Sequence, residues 1–243
     1  MIRLIAVTLS LDGEVVLGAA SAEARSGDLL VVEGPRAAGK TKLLEIAGAR
    51  RRPDSGEVWI AGHEVTSLQR NSLPFVRRNI GFAPATPTFL TGLSVLENVM
   101  LPLVARADPP DWARDAALRA LGKVGIVGLA TRDPHALSAG ARRLVGIARA
   151  LAGSPPVVLV DEPSGLLAPS DTGAVLAALL GAQGSGAAVV CATADGAFAT
   201  AAVPAGARRL RRDGGRVLAG IGPIAVVNGG RATARGPRRE VAS

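Results

Sequence analysis

The stretch LLVVEGPRAAGKTKLLEIAG, residues 29–48, decides the fold. Its first part, Leu29–Glu33, is typical of a buried strand, and Lys42–Gly48 has the apolar spacing of a helix. Between them, Gly34–Thr41 fits the pattern G-x-x-x-x-G-K-[ST], a loop whose backbone N–H groups surround nucleotide phosphates at a helix N-terminus. A chance glycine turn does not need a strand before it and a helix after it, so we predict a nucleotide site.

Residue types in this loop indicate individual contacts. We expect the Lys40 ammonium group to reach the β- and γ-phosphates and the Thr41 hydroxyl to bind Mg²⁺. The loop is unusual in its middle part, where Arg36 and two alanines stand in place of the usual small or flexible residues. The predicted nucleotide-binding residues are Gly34, Pro35, Arg36, Ala37, Ala38, Gly39, Lys40, Thr41 and Lys42.

Composition limits the class of protein. A chain of 243 residues is long enough for one α/β domain, or a domain with a lobe. The longest uncharged stretch, Thr172–Ala194, is interrupted by a predicted turn at Gly181–Gly186, so we expect no membrane-spanning helix. The N-terminus lacks a complete signal-peptide pattern, and we expect the protein to stay in the cytosol. The one cysteine, Cys191, is expected to be buried and inert.

The net charge of +8 is compatible with nucleic acid or an anionic membrane as a partner. Nearly all of it comes from arginines, which are spread along the chain with modest clusters at 50–52, 208–212 and 231–239. Because codon composition can produce the same excess of arginine over lysine, the charge has little weight here, and we expect no direct nucleic-acid partner.

The order of predicted elements indicates an α/β fold. Two β-like runs around Asp12-Gly13 predict an N-terminal hairpin. Strands at Val157–Val160 and Ala187–Cys191, with a helix at Thr172–Leu180 between them, are typical of a parallel sheet covered on both faces. The predicted fold is a phosphate-loop NTPase with a mainly parallel core, an N-terminal antiparallel β subdomain and an inserted α-helical lobe over about residues 86–150. Within the lobe, Ser94 and Glu97 form a predicted capping box for a helix through Leu101.

A second motif, PPVVLVDEP at residues 155–163, is an apolar strand with two carboxylates at its C-terminal end. Ligands bind at that edge of a parallel sheet. We expect Asp161 to hold Mg²⁺ through water and Glu162 to polarise an attacking water, which makes Glu162 the predicted catalytic residue. An ordinary strand followed by an acidic turn has the same pattern, so the motif is not decisive by itself.

A third motif, LSAGARRLVGIARAL at residues 137–151, places apolar residues on one face of a helix. The start of this helix, Ser138–Gly140, offers unpaired N–H groups and hence a second anion site. Its other face carries Arg142, Arg143 and Arg149, which we expect to be solvated charges.

Together the motifs resemble the nucleotide-binding domain of ATP-binding cassette (ABC) transporters over about residues 2–220. The order of phosphate loop, LSAGA, DEP and SGLLAPSD carries the resemblance. The segment IGFAPATPTFLTGLSVLENVMLPL, residues 80–103, is similar to the ATPases that serve lipoprotein-release, macrolide-export and cell-division permeases. We assign residues 1–222 to this domain and residues 223–243 to a Gly-, Ala- and Arg-rich tail that we expect to be disordered.

The resemblance implies an ATPase that uses ATP and Mg²⁺ and closes as a head-to-tail dimer with a second copy or a homologue. Closure would drive an integral membrane permease at the inner face of the cell membrane, with Thr86–Leu103 as the expected contact. Four apolar residues there form either a docking surface or part of the lobe's core: Phe89, Leu90, Leu93 and Met100. Each nucleotide would lie between one subunit's phosphate loop and the other's signature, here Leu137, Ser138, Ala139, Gly140 and Ala141.

The chain departs from the family pattern at several polar positions. The glutamine expected after IGF falls at Ala85, the histidine of a T-H-D context at Ala194, and the aspartate after SGLL at Ala168. In the signature, Ala139 and Ala141 replace a glycine and a glutamine. No aromatic residue that could stack on adenine precedes the phosphate loop. Because phosphoryl transfer depends on positioned charge, we expect Mg·ATP to bind and to be hydrolysed slowly.

Two other functions stay open at this point. A regulatory or pseudo-ATPase module would signal through nucleotide binding alone; the missing glutamine and histidine favour it, and the retained Glu162 opposes it. A soluble ABC protein that acts on DNA or ribosomes would fit the basic charge. Such proteins usually carry long coiled coils, zinc-binding cysteines or tandem cassettes, and this sequence has none of them.

Overall fold

The computed structural model describes residues 1–205 and 207–211. The predicted domain boundary at residue 222, the tail at 223–243 and the arginine cluster at 231–239 lie outside the described residues. The strands are β1 (Ile2–Leu11), β2 (Glu14–Ala24), β3 (Leu29–Glu33), β4 (Ser55–Ile60), β5 (His63–Glu64), β6 (Ile80–Ala83), β7 (Val157–Asp161), β8 (Ala188–Thr193) and β9 (Arg208–Arg211). The helices are α1 (Lys40–Ala47), α2 (Leu73–Arg77), α3 (Val95–Val104), α4 (Pro110–Lys123), α5 (Ala139–Leu151), α6 (Pro169–Gly184) and α7 (Gly196–Ala202).

Two sheets form the scaffold, as the sequence predicts. The N-terminal sheet is antiparallel with strand order β2-β1-β4-β5, and the predicted hairpin is its β1–β2 pair. The second sheet has the order β6-β7-β8-β3-β9, and all of its neighbouring strands are parallel. Every residue of β3, β7 and β8 is buried, which is typical of parallel strands covered on both faces.

The parallel sheet separates two hydrophobic cores. Val158 and Val160 of β7 pack into one core, together with α3, α4, α5 and α6. Their neighbours Val157 and Leu159 pack into the other core, together with α1 and the antiparallel sheet. This division follows from the alternation of side chains along a strand. Buried Cys191 lies in the first core, and burial raises the pKa of its thiol to about 12, as expected for an inert cysteine.

The helical lobe is built from α3, α4 and α5, which pack on one another. Its predicted capping box is confirmed: the Ser94 hydroxyl accepts a hydrogen bond from the Glu97 amide, and the Glu97 carboxylate accepts one from the Ser94 amide at 2.7 Å. Helix α3 continues past the predicted end at Leu101 and terminates at Val104.

The predicted turn at Gly181–Gly186 is wrong over its first part, because α6 continues through Gly184. The Ser185 amide still donates to the Gly181 carbonyl at 3.1 Å. Gly186, with φ of 92°, then directs the backbone away from the axis of α6. None of the helices within residues 1–205 and 207–211 is both long and apolar enough to cross a membrane.

Candidate nucleotide site

The phosphate loop connects the buried end of β3 to the first turn of α1. Gly39 has φ of 76°, and a Cβ at this position would lie 2.9 Å from the Val16 carbonyl oxygen, so only glycine fits. Ala37 also adopts a left-handed conformation, with φ of 63°. That conformation costs a residue with a Cβ roughly 1–2 kcal/mol, so the loop holds its shape against local strain.

Lys40 is the buried cation of this loop. Its side chain is 5% exposed, and Nζ donates to the carbonyl oxygens of Gly34 and Pro35 at 2.9 and 2.8 Å. The same nitrogen lies 3.8 Å from Glu162 Oε1. The ammonium group is therefore fixed between the loop backbone and the acidic end of β7, where a phosphate chain would lie.

Thr41 and Asp161 meet across the start of α1. The Thr41 hydroxyl donates to Asp161 Oδ2 at 2.8 Å. Asp161 is 2% exposed, and its Oδ1 is buried without a hydrogen-bond partner among the described residues. Burial raises the pKa of this carboxyl, because a charged oxygen there has lost its water. A hydroxyl beside an unpartnered carboxylate oxygen is a hard-oxygen donor set that fits Mg²⁺, which takes its other ligands from phosphate and water.

Glu162 points toward the end of β8. Its carboxylate accepts hydrogen bonds from the Ala194 amide at 3.0 Å and from the Thr193 hydroxyl at 3.1 Å. The residue has φ of 50°, a left-handed conformation that is uncommon for a non-glycine residue. Its own amide donates to the Ala192 carbonyl at 2.7 Å, so backbone contacts hold this turn. The catalytic candidate is thus positioned by the neighbouring strand.

Arg143 was predicted to be solvated, and that prediction is wrong. The residue is 1% exposed, and its guanidinium donates to the carbonyl oxygens of Pro84, Asp161 and Glu162. Burial lowers the pKa of Arg143 to about 10, which leaves it protonated at neutral pH. One signal in the sequence was missed: Arg143 is four positions before Ile147 and therefore lies along the apolar stripe of α5.

The other two arginines of α5 are partly covered as well. Arg142 donates to the Leu137 carbonyl at 2.7 Å, and Arg149 donates to the Thr88 carbonyl at 2.8 Å. The Arg149 guanidinium also stacks on the Phe89 ring, 5.2 Å from its centroid. All three arginines of this helix therefore contact protein carbonyls, whereas the sequence analysis treated them as surface charge.

A cleft of about 880 Å³ brings these groups together. Its walls include the loop residues Arg36–Lys42 and the Glu162 side chain. Ala85 and Ala194, which stand where the family pattern has glutamine and histidine, also line it and present only methyl groups. Ala168 lies elsewhere, as the exposed N-cap residue of α6, and has no side-chain oxygen to cap that helix.

Leu11 and Val16 also line the cleft, and the sequence analysis did not identify them. They lie at the end of β1 and near the start of β2, and both are half-buried. Their aliphatic side chains provide the apolar wall at which a nucleotide base could lie in the absence of an aromatic residue. No signal in the sequence identifies Leu11, which ends β1, because two further strands separate it from the phosphate loop.

The signature residues at 137–141 are not part of this cleft lining within the described chain. Ser138 is the N-cap of α5, where its hydroxyl accepts from the Ala141 amide at 3.2 Å. A Cβ at Gly140 would lie 2.9 Å from the Leu166 carbonyl oxygen, so this turn packs closely on the loop that follows β7. The start of α5 thus lies outside the cleft lining and packs on the loop that carries Leu166, which belongs to that lining.

Four apolar residues before and within α3 were expected to form either a docking surface or part of the lobe's core, and the structure divides them between the two. Phe89 and Met100 pack against the core of the lobe. Leu93 is half-buried, and Leu90 is 54% exposed. The Asn98 side chain is buried beneath this segment and bonds the Leu90 amide at 2.8 Å, which fixes the loop. Leu90 is the member of the set with the most accessible surface for another protein.

Comparison with known proteins agrees with this geometry. Residues 17–165 match the family model described as ABC transporter. Over 184 residues the chain is 39% identical to the lipoprotein-releasing system ATP-binding protein LolD of Paramagnetospirillum magneticum, which covers 75% of this chain and 81% of that protein. It is 36% identical over 157 residues to the cell division ATP-binding protein FtsE of Escherichia coli, which covers 65% and 71% of the two chains.

Solved structures of ABC cassettes are similar to this chain as well. The dimeric structure of MJ0796, a bacterial ABC transporter cassette, matches with a TM-score of 0.81 and 31% sequence identity, and covers 89% of this chain and 96% of that one. A second structure of MJ0796, a dimeric post-hydrolysis state bound to ADP and Pi, matches with a TM-score of 0.81 and 30% identity over the same shares.

Proposed function

The chain belongs to the ABC transporter family, as an ATP-hydrolysing subunit of that family, and from this premise we propose that it binds Mg·ATP in the cleft and hydrolyses it slowly. One observation carries the proposal. Lys40, Thr41, Asp161 and Glu162 meet in or beside a single cleft, whereas Ala85 and Ala194 add no polar group to it. The groups that bind phosphate charge are retained, and two groups that would act on the reacting phosphate are not.

The retained groups have distinct roles in this proposal. The loop amides and Lys40 bind the phosphate chain. Thr41 and Asp161 hold Mg²⁺, which when bound neutralises charge on the β- and γ-phosphate oxygens. Glu162 orients and polarises the attacking water through a carboxylate that the Ala194 amide and the Thr193 hydroxyl hold in place. Losing a preorganised donor at a developing charge typically slows a reaction by about 10²–10³-fold, so the alanines imply slow turnover.

We propose that the working unit is a head-to-tail dimer with a second copy or a homologue. Residues 137–141, the signature segment at the start of α5, do not line the chain's own cleft, which leaves them free to contact the other subunit's nucleotide. The related MJ0796 cassette has been solved as a dimer. A helix N-terminus with unpaired amides favours an anion there, even with alanines at positions 139 and 141.

We further propose that an integral membrane permease binds the segment Thr86–Leu103 and holds the protein at the inner face of the cell membrane. Leu90, which is exposed, and Leu93, which is half-buried, support this placement, because they give the segment apolar surface that a partner would cover. LolD belongs to a lipoprotein-releasing system and FtsE acts in cell division, and both relationships favour the same kind of assembly. Co-purification from membranes, with an ATPase assay on the recovered complex, tests this part.

The test of the hydrolytic site compares the wild-type protein with Glu162→Gln. We expect wild-type turnover to be about 10²-fold below that of LolD from P. magneticum assayed in parallel, and Glu162→Gln to lower it by about a further 10²-fold. ATP should still drive dimer formation of the variant in size-exclusion chromatography, because the phosphate-binding groups are intact. Wild-type turnover equal to that of the relative would contradict slow hydrolysis.

The same variant tests the regulatory alternative, which Ala85 and Ala194 favour. A protein that signals through binding alone does not use Glu162 as a base. If Glu162→Gln changes neither turnover nor ATP-driven dimerisation, the chain acts as a nucleotide-dependent regulator, and the hydrolytic proposal is abandoned.

A further inference from the structure

The guanidinium of Arg143 joins three segments that come together at the cleft. Nη1 donates to the carbonyl oxygen of Pro84, just after β6, and Nη2 donates to those of Asp161 and Glu162, at the end of β7. The Glu162 contact measures 3.0 Å. All three acceptors are backbone atoms, so what the arginine holds is the course of the chain and not the orientation of one side chain.

These carbonyls belong to the residues that carry the chemistry. Pro84 immediately precedes Ala85, and Asp161 and Glu162 bear the two carboxylates. Glu162 has a left-handed backbone, which persists only where its surroundings enforce it. Its carbonyl oxygen accepts from Arg143 and also from the Gly165 amide at 3.0 Å. Removing the arginine would leave the turn with one of these two restraints.

A buried charge is a costly way to fill space in a core. Arg143 is 1% exposed, and no carboxylate of the described residues forms a salt bridge with it. Its stabilisation therefore comes from oriented carbonyl dipoles. An apolar residue of similar volume would avoid the cost of desolvating the charge. What an apolar residue could not provide is a planar donor that reaches two loops at once.

We propose that Arg143 is a positioning residue of the hydrolysis site, which fixes the backbone of Asp161 and Glu162 to α5 and to the end of β6. As a result, the Glu162 carboxylate and the N-terminus of α5 move as one unit. The inference rests on the proposed function, in which Glu162 polarises the water and the start of α5 faces a second nucleotide. It goes beyond that function by assigning the link between the two.

The first experiment measures kcat, KM and nucleotide Kd for the purified variants Arg143→Met and Arg143→Lys. We expect Arg143→Met to lower kcat by about 10²-fold, the typical effect of a misplacement of roughly 1 Å at a catalytic group. The Kd for ATP without Mg²⁺ should change by less than about twofold, because Lys40 bonds to the Gly34 and Pro35 carbonyls and not to those that Arg143 holds. Arg143→Lys should recover part of kcat, since an ammonium group can reach one carbonyl but lacks the planar fork.

Arg149→Met is the matched control. Arg149 lies on the same helix, is half-buried and also donates to a loop carbonyl, that of Thr88, but it contacts neither Asp161 nor Glu162. We expect this variant to keep wild-type kcat. A loss of kcat in Arg149→Met as large as that in Arg143→Met would overturn the inference, since any buried arginine of α5 would then have the same effect.

The decisive experiment repeats Arg143→Met in the Glu162→Gln background, with single-turnover assays for the slow variants. If Arg143 acts through Glu162, the second substitution should cost less than about threefold where it costs about 10²-fold in the wild type, because residues that act as one unit are not additive. Equal losses in both backgrounds would overturn the inference, as would wild-type kcat in Arg143→Met. If Arg143→Met does not fold, Arg143→Lys in the two backgrounds provides the same comparison.

The outcomes separate this inference from the proposed function. If Glu162→Gln lowers turnover and Arg143→Met does not, the inference fails and the proposed function stands. If Glu162→Gln has wild-type turnover, Glu162 is not the catalytic group, and both fail.

Discussion

The floor of the cleft and its rim differ in chemistry. On the floor, Lys40, Thr41 and Asp161 are buried or bonded at distances near 2.8 Å, and each has a defined partner. At the rim, Ala85 and Ala194 present methyl groups. In the proposed function, floor groups contact phosphate charge that is already present in the nucleotide, whereas the glutamine and histidine of the family pattern would act at the rim as the γ-phosphate reacts. Under this proposal, nucleotide binding and nucleotide turnover depend on different residues of one cleft.

The largest expected effect is on nucleotide affinity and comes from removing the Lys40 side chain from the cleft floor. Lys40→Ala removes the buried cation, and truncating one partner of a buried charge pair costs about 3–4 kcal/mol. Nucleotide Kd should therefore rise by about two to three orders of magnitude, measured by fluorescence titration. Lys123→Ala, an exposed lysine at the end of α4, is the control and should keep wild-type Kd. A rise of less than threefold for Lys40→Ala would mean that the floor does not bind the phosphates.

The phosphate loop was predictable from the sequence because its determinants are local. The phosphate loop lies within one strand–helix unit, and the capping box of α3 needs only Ser94 and Glu97, three positions apart. Arg143 could not be found in the same way. Its acceptors lie 59, 18 and 19 positions away, and they converge only when β6 and β7 pair in the sheet. The spacing of Arg143 from Ile147 indicates its place on the apolar stripe of α5, but the carbonyls that it contacts are set by the tertiary structure.

The rim shows the opposite case, in which the sequence identified positions but not their surroundings. Ala85 and Ala194 were located by their spacing from neighbouring motifs, and they do line the cleft. Leu11 was not located, because one aliphatic residue at the end of a strand has no distinguishing pattern. Its place in the cleft depends on how the antiparallel sheet packs against the phosphate loop, where Gly39 lies close to the Val16 carbonyl.

The second prediction restores at the rim the two polar side chains of the family pattern. Ala85→Gln combined with Ala194→His should raise kcat by about 10–10²-fold, since each residue adds a polar group where charge develops. The Ala194 side chain is exposed at the cleft, so an imidazole has room there. Steady-state phosphate release measures the effect, and the same double substitution with Glu162→Gln is the control, which should stay inactive. Unchanged kcat would show that the missing rim groups do not limit turnover.

The third prediction concerns the stability cost of burying the Asp161 carboxylate in the cleft floor. Burial raises the native pKa of the Asp161 carboxyl above its unfolded value, so its contribution to stability is fully present below about pH 3.9 and is lost as the pH rises through the native pKa. At neutral pH the ionised group thus destabilises the nucleotide-free protein. Asp161→Asn removes the charge and keeps an acceptor for Thr41, so Tm at pH 8 should rise by roughly 2–4 °C, the shift that about 1 kcal/mol produces.

The pH dependence distinguishes this explanation from simple repacking. The gain in Tm of Asp161→Asn over the wild type, measured by differential scanning fluorimetry, should be larger at pH 8 than at acidic pH, because the wild-type carboxyl is uncharged below its raised pKa and charged above it. Asp115→Asn, an exposed residue of α4, should show no such gain. A variant less stable than the wild type at pH 8 would show that the Asp161 charge is already compensated without a metal ion.

The smallest expected effect concerns the apolar part of the rim. Leu11→Tyr places an aromatic ring on the wall that Leu11 and Val16 now form, and aromatic stacking contributes about 1 kcal/mol beyond area burial. ATP should then bind about fivefold more tightly. The kcat should be unchanged, because the adenine ring is remote from the reacting phosphate. Val15→Tyr adds the same ring on the neighbouring strand at a position that is 53% exposed and outside the cleft lining, so it should leave Kd at the wild-type value. Equal affinity for ATP in the two variants would mean that the adenine ring does not lie against Leu11. A gain with GTP as large as that with ATP would be expected as well, because a ring face stacks on either purine and distinguishes neither.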